Sequence, residues 1–494
     1  MSESQPLDLD PGTPEIDLGT VSQRSVSGIL SLTSRTFLVQ ITTFLATLAL
    51  TVFLSPEIYG IFFLVSSVVN FLTYFSDIGL AAALIQKKTK LVKDDLTTTF
   101  TVQQILVVTL LISLRLATPA IQSFYSISQE GIYLLYALGI SLFLSSLKTI
   151  PSVLLERELR FKKLIIPQIA ETLVFNFVAV YLAWKGYGIT SFTVAVLARG
   201  VTGLVLMYIV SPWRPSFSIK RSSLKTLLKF GLPYQANTFI AVLKDDGMTI
   251  LLGKLIGPVG LGYIGWASRW ANMPLRIFMD NVSKVAFPAF SRLQDNQTRL
   301  KKAVELNIKY LSLAVFPVFV AMSLLAGPLV QLIPKYTKWM PALIPLYLYL
   351  YNAGWATVST SLTNALNAVG KIKVTFKLMI MWASLTWALM PALAIKFGYL
   401  GVSYAAGLIA TSSIVAILAA RRHINFSLLS SLKSSLLASL GLAVYLTLAR
   451  LLASSIFGIA MVSVGGVIVF ISLVLLIEGK SFINKTISLF ALRK

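Results

Sequence analysis

The chain has 494 residues, 56% of them hydrophobic and 13% charged, with a mean hydropathy of +0.79. That balance excludes a soluble globular protein, in which about a quarter of residues are charged. A net charge of +24 would suggest nucleic acid in a soluble chain, but no basic, aromatic-interleaved soluble domain exists to bind it, and the absence of cysteine excludes disulfides, thiolate nucleophiles and cysteine metal sites.

Residues 1–24 carry five acids and no base before Arg24. They lack the basic n-region of a cleaved signal and are expected to form a disordered cytoplasmic tail. From there to about residue 477, apolar segments of the length that crosses a bilayer, about 20 residues, follow one another with short polar breaks. They fall at 27–53, 58–77, 96–119, 131–150, 164–184, 187–210, 226–253, 259–285, 304–326, 340–368, 372–395, 399–420, 432–453 and 456–477. The expectation is an all-α membrane protein of about fourteen transmembrane helices.

With the N-terminus inside, 28 basic residues lie in loops and tails on the inner side and six on the outer: Lys185, Lys254, Lys335, Lys338, Lys396 and Arg450. The positive-inside rule then places both termini in the cytoplasm. The basic excess reads as topology determinants and contacts to anionic membrane lipid, with no nucleic-acid partner.

The loop after the first span reads Ser55-Pro56-Glu57-Ile58-Tyr59-Gly60, and the loop after the seventh reads Gly257-Pro258-Val259-Gly260-Leu261-Gly262. Proline and glycine recur four apart in both, at an offset of 202 residues. Gly188-Ile189-Thr190 matches Gly401-Val402-Ser403, and basic links precede both the fifth and eleventh spans. The chain reads as duplicated: a lobe of six helices over 25–220, a second over 221–425, a helix pair over 426–480 and a tail from 481 to 494. Six is even, so both copies enter the membrane in the same sense.

Nine basic residues stand inside spans, where a charge costs roughly 2.5–3.5 kcal/mol at mid-membrane. Arg115, Lys148, Lys284 and Lys309 lie near span ends and are expected to snorkel. Arg199, Arg269 and Arg276 lie too deep for that, and Arg35 and Lys244 complete the set. Arg269 and Arg276 are seven residues apart and share a helix face, with Asp280 one turn beyond Arg276. Lys244-Asp245-Asp246 groups three charges in the seventh span. Two readings stand: salt bridges between Arg269 or Arg276 and Asp245 or Asp246, or a cationic cavity between the lobes for an anionic substrate. Glu171, in the fifth span, is a proton or cation site or a partner of Arg199. Asp77 is expected to face water.

Groups for catalysis are scarce. The one histidine, His423, lies in a basic link, and Gly479-Lys480-Ser481 lacks the earlier glycine of a phosphate loop, that position being Val474. No cofactor, metal or catalytic residue is expected.

The twelve-plus-two helix plan, the Ser-Pro-Glu-Ile-Tyr-Gly boundary and the run Leu155-Glu156-Arg157-Glu158-Leu159-Arg160-Phe161-Lys162-Lys163 together resemble the polysaccharide transporter branch of the multidrug/oligosaccharidyl-lipid/polysaccharide exporter superfamily. The run is most similar to its colanic-acid-type exporters, and the resemblance covers about residues 25–480. It implies V-shaped lobes around a central cavity, alternating access, and export of an undecaprenyl-diphosphate-linked oligosaccharide or polysaccharide precursor across a bacterial cytoplasmic membrane. It also implies a working monomer, with other polysaccharide-assembly proteins as conceivable partners. A diphosphate suits paired arginines, so the substrate site is expected at Arg35, Arg269 and Arg276, with Arg199 and Lys244 behind them. Asp245, Asp246 or Glu171 would take a coupling ion. The alternatives are a multidrug exporter of the same superfamily, which would favour acidic cavity residues, and a membrane enzyme of glycan assembly.

Overall fold

The structure, a computed structural model, describes residues 39–87 and 89–479. The N-terminal tail, Arg35 and the tail from 481 lie outside the described residues, as do the side chains of Asp280 and Lys284.

Every element is helical among the described residues: α1 (Val39–Phe53), α2 (Pro56–Tyr74), α3 (Leu80–Gln86), α4 (Lys93–Tyr125), α5 (Gln129–Leu147), α6 (Thr149–Arg157), α7 (Phe161–Trp184), α8 (Thr190–Val210), α9 (Arg221–Val242), α10 (Met248–Arg292), α11 (Gln297–Leu332), α12 (Leu343–Ala368), α13 (Ile372–Thr411), α14 (Ser413–Arg421), α15 (Leu428–Ala449) and α16 (Ile456–Glu478). Ten stretches among the described residues are long and apolar enough to cross a membrane, against the fourteen expected. The difference has identifiable sources. Val39–Phe53 is described only in part, and α12 carries many Ser, Thr and Asn side chains. Two of the ten, Thr238–Met279 and Ile372–Arg421, each run through a break, at Gly257 (φ 68°) and Gly398 (φ 59°). Only glycine takes such positive φ without strain.

The chain forms two compact units. The first comprises Met1–Leu54 and Ile61–Ile250, the second Ser55–Gly60 and Leu251–Lys494. In the first, Leu80, Leu84, Phe100, Ile150, Val153 and Leu227 form an apolar core. The run that carried the family resemblance has a structural task here. Arg157 donates to the carbonyl oxygens of Leu84, Lys87 and Thr89, satisfying the open end of α3 with a cation where the helix dipole is negative. The link after α8 is tied down as well: the N–H groups of Ser218 and Lys220 donate to Thr101 and Thr98 at 3.0 Å. Lys220 also pairs with Asp94 at 2.9 Å, which raises its ammonium pKa above the ordinary lysine value. Near the end of α2, Tyr74 and Gln235 exchange hydrogen bonds, and the backbones of Gly79 and Gly231 touch.

In the second unit, α15 and α16 dock on α11 through Leu325, Ala438, Leu442, Leu446, Val462 and Val474. Lys309 pairs with Glu478 at 2.5 Å, and the Ser434 hydroxyl donates to the same carboxylate. The Lys309 ammonium thus has an internal counter-ion at the end of α16, which spares it the cost of an unpaired charge.

The two Pro-x-x-x-Gly motifs meet inside the second unit. A Cβ at Gly60 would sit 1.7 Å from the Pro258 carbonyl oxygen, and a Cβ at Gly262 would sit 1.9 Å from that of Pro56. Each motif's glycine clears the backbone beside the other motif's proline, the use small residues have in membrane helix crossings.

Candidate functional site

Between α9 and α10 the helix widens into one π turn, Leu243–Gly247, which holds the Lys-Asp-Asp run. Such turns insert a residue into the helical ladder and recur at functional sites. Here the turn splits the three charges. Lys244 pairs with its neighbour Asp245, whose carboxylate is exposed. Asp246 is half-buried and accepts hydrogen bonds from Ser67 and Asn70 of α2. Asp246 is thus held by neutral donors, and Asp245 by a cation.

Glu171 of α7 is not a partner of Arg199. It pairs with Lys148, both being largely buried. The pair borders a cavity of about 240 Å³ within the first unit, lined also by Ser145, Thr149, Ser152, Glu156 and Gln168. Room for Glu171 comes from Gly203 of α8, where a Cβ would lie 1.8 Å from the carboxylate. Arg199 stands exposed on α8 and has no ion pair among the described residues. Asp77 is half-buried, its carboxylate accepting the Ala81 N–H at 3.1 Å in the turn that opens α3.

In the second unit, Arg269 and Arg276 are both exposed on α10. They are about 10 Å apart along the axis and about 20° apart around it. Pro274 lies between them and has no N–H to give to the helical ladder. Neither arginine pairs with a carboxylate among the described residues. Arg269 lies within electrostatic reach of the buried Tyr59 hydroxyl. Beside them is a packed aromatic group: Trp266 stacks on Trp339 at 5.4 Å and donates to the Tyr336 hydroxyl at 3.2 Å, and Tyr59 meets Trp339 edge-on at 5.6 Å.

Ser67, Asn70 and Gly203 are the participants that the sequence reading passed over. The first two carried a signal, three polar residues at 66, 67 and 70 in the middle of an apolar helix; Gly203 carried none without its neighbour.

These features define a multi-pass helical membrane protein whose charged residues within the spans include ion pairs, a carboxylate held by neutral donors and two exposed arginines on one face of α10. The fold is similar to that of the lipid II flippase MurJ in an inward closed conformation, with a TM-score of 0.71 at 17% identity over 90% of this chain and 98% of that one. It is also similar to an inward-facing multidrug resistance MATE family transporter of the MOP superfamily, with a TM-score of 0.59 at 17% identity, over 76% and 93% of the two chains. Residues 49–343 match the family model described as polysaccharide biosynthesis protein, and the chain belongs to that family. Among curated relatives, the succinoglycan biosynthesis transport protein ExoT of Rhizobium meliloti (strain 1021) is 24% identical over 387 residues, 77% of this chain and 74% of that protein.

Proposed function

We propose that this protein is a flippase that moves a polyprenyl-diphosphate-linked oligosaccharide or polysaccharide precursor across the bacterial cytoplasmic membrane by alternating access. In this reading it crosses fourteen times with both termini cytoplasmic, works as a monomer and performs no chemistry on its cargo. Counting the two sides of the breaks at Gly257 and Gly398 separately gives twelve crossings, and α1 and α12 bring the number to fourteen, read as lobes over 25–220 and 221–425 and a helix pair over 426–480. The membership of the polysaccharide biosynthesis family, the transport named for ExoT and the lipid II flipping named for MurJ support the cargo class.

The observation that carries the proposal is the pair Arg269 and Arg276, exposed on one face of α10 without carboxylate partners among the described residues. Guanidinium groups bind phosphate oxygens through paired, charge-assisted hydrogen bonds. Two of them on one face suit a diphosphate better than a cationic drug. Arg35, Arg199 and Lys244 are the further cationic candidates. Among the candidate coupling-ion residues, Asp246 is favoured, since Lys244 and Lys148 engage Asp245 and Glu171. With the cell interior negative, outward movement of the diphosphate gains about 2.3 kcal/mol per charge per 100 mV, and a cation on Asp246 would reset the empty carrier.

The test is transfer of a fluorescent undecaprenyl-diphosphate oligosaccharide between leaflets of liposomes holding the purified protein. Arg269→Ala or Arg276→Ala should abolish transfer with thermal unfolding unchanged. Arg115→Ala should be mild, because Arg115 is exposed on α4 over the Tyr136 ring. Wild-type transfer by both α10 variants would remove the arginine face from the proposal. Export of cationic drugs without glycan transfer would replace the cargo.

A further inference from the structure

On the flank of the first unit, α1 and α7 enclose a groove of about 870 Å³, the size range of pockets that bury whole small molecules, about 300–1,000 Å³. Its wall on α1 is low, formed by Ala46 and Ala49 with Leu45 and Phe53, and its wall on α7 carries Val174, Val178 and three aromatics. The two helices are joined at its base by the buried Asn176 amide, which donates to the Thr43 hydroxyl at 3.3 Å.

The aromatics form a ladder. Phe177, Tyr181 and Trp184 recur one turn apart, with Phe177 stacked on Tyr181 at 6.3 Å and Tyr181 the same distance from Trp184. All three are exposed to what surrounds the protein. The ladder ends at a cation: the Lys185 ammonium lies 4.7 Å from the Trp184 ring centre and 5.9 Å from that of Tyr181. Lys185 closes α7 and is exposed, and no carboxylate pairs with it among the described residues. An apolar trough flanked by rings and capped by one ammonium has the order of a membrane lipid: chain, interface, headgroup.

We propose that this groove is a binding site for an anionic glycerophospholipid, one acyl chain lying between α1 and α7 and the phosphate resting on Lys185. Charge decides the headgroup. A zwitterionic lipid brings its own amine to the phosphate, whereas an anionic one offers Lys185 the counter-ion that the protein does not. The rings hold the ammonium over their faces by cation–π attraction and leave its N–H donors available to the phosphate. The bound lipid bridges α1 to α7, so occupancy stabilises the first unit. The site stands on its own residues and does not depend on the cargo proposed above.

The experiment is native mass spectrometry of the full-length purified protein titrated with phosphatidylglycerol or phosphatidylethanolamine. Lys185→Ala should weaken one phosphatidylglycerol site roughly fivefold, the ratio that corresponds to about 1 kcal/mol per lysine at a lipid surface, and leave phosphatidylethanolamine unchanged. Lys185→Arg should retain the site, and Ala49→Phe, which fills the trough, should weaken retention of both lipids while thermal unfolding without added lipid stays at the wild-type value. Equal retention of the two lipids by the wild type, or undiminished phosphatidylglycerol binding by Lys185→Ala, would overturn the assignment. Preference for polyprenyl phosphate over phosphatidylglycerol at equal concentration would overturn it in favour of the carrier lipid.

Discussion

Lys338 shows what a single charge costs when the chain half-buries it. It lies in the turn before α12, beside Lys335, and its ammonium pKa falls from 10.5 to about 8 because burial disfavours the charged form and the neighbouring lysine adds repulsion. Below about pH 8 the folded chain bears the whole penalty. Between about 8 and 10.5 the unfolded chain still holds the proton that the folded one has released, so stability rises with pH across that window. Lys338→Met should raise the thermal stability of the detergent-solubilised protein at pH 7 by about 1 kcal/mol, once the half-exposed position is allowed for, and flatten the rise between pH 8 and 10. A variant with wild-type stability and the same pH slope would remove Lys338 as the source. At this scale the sequence located the charges but not their partners. Lys148 and Lys309 are each answered by an acid on another helix, Glu171 and Glu478, and a pairing between helices leaves no local trace.

Among the elements, the start of α2 and the break within α10 were the most legible. The recurrence of Pro56 and Gly60 in Pro258 and Gly262 marked them as equivalent, and their contact gives the recurrence a physical reason. Gly60→Ala and Gly262→Ala each push a methyl group into backbone that cannot yield as a flexible side chain would, costing about 2–3 kcal/mol each. Once the helices have parted to admit one methyl group, the second finds room. The double variant should lose clearly less than the sum of the two, measured by thermal unfolding. Full additivity would mean that the two contacts are independent. The π turn at Leu243–Gly247 was not legible, because Lys244-Asp245-Asp246 reads equally well as an ordinary helical run. Only its register against Ser67 and Asn70 separates the two aspartates.

For the whole molecule, hydropathy alone specified a helical membrane protein, since in lipid every backbone group must be satisfied within the chain. The number of crossings was less accessible because polar residues in α12 and glycine breaks in α10 and α13 blur where one span stops. Orientation rests on the lysine and arginine asymmetry and can be measured directly, since the chain has no cysteine to interfere. In intact spheroplasts, Lys335→Cys should react with a membrane-impermeant maleimide, and Lys371→Cys only after permeabilisation. The reverse pattern would invert the topology.

The meeting of Pro56 with Gly262 and of Gly60 with Pro258 also bears on ancestry. A gene encoding one copy of the motif could make this reciprocal contact only between two polypeptides facing each other across a two-fold axis. On the duplication read from the sequence, fusion of two such copies turns a subunit interface into an internal joint, in which neither glycine can change without its counterpart's helix giving way.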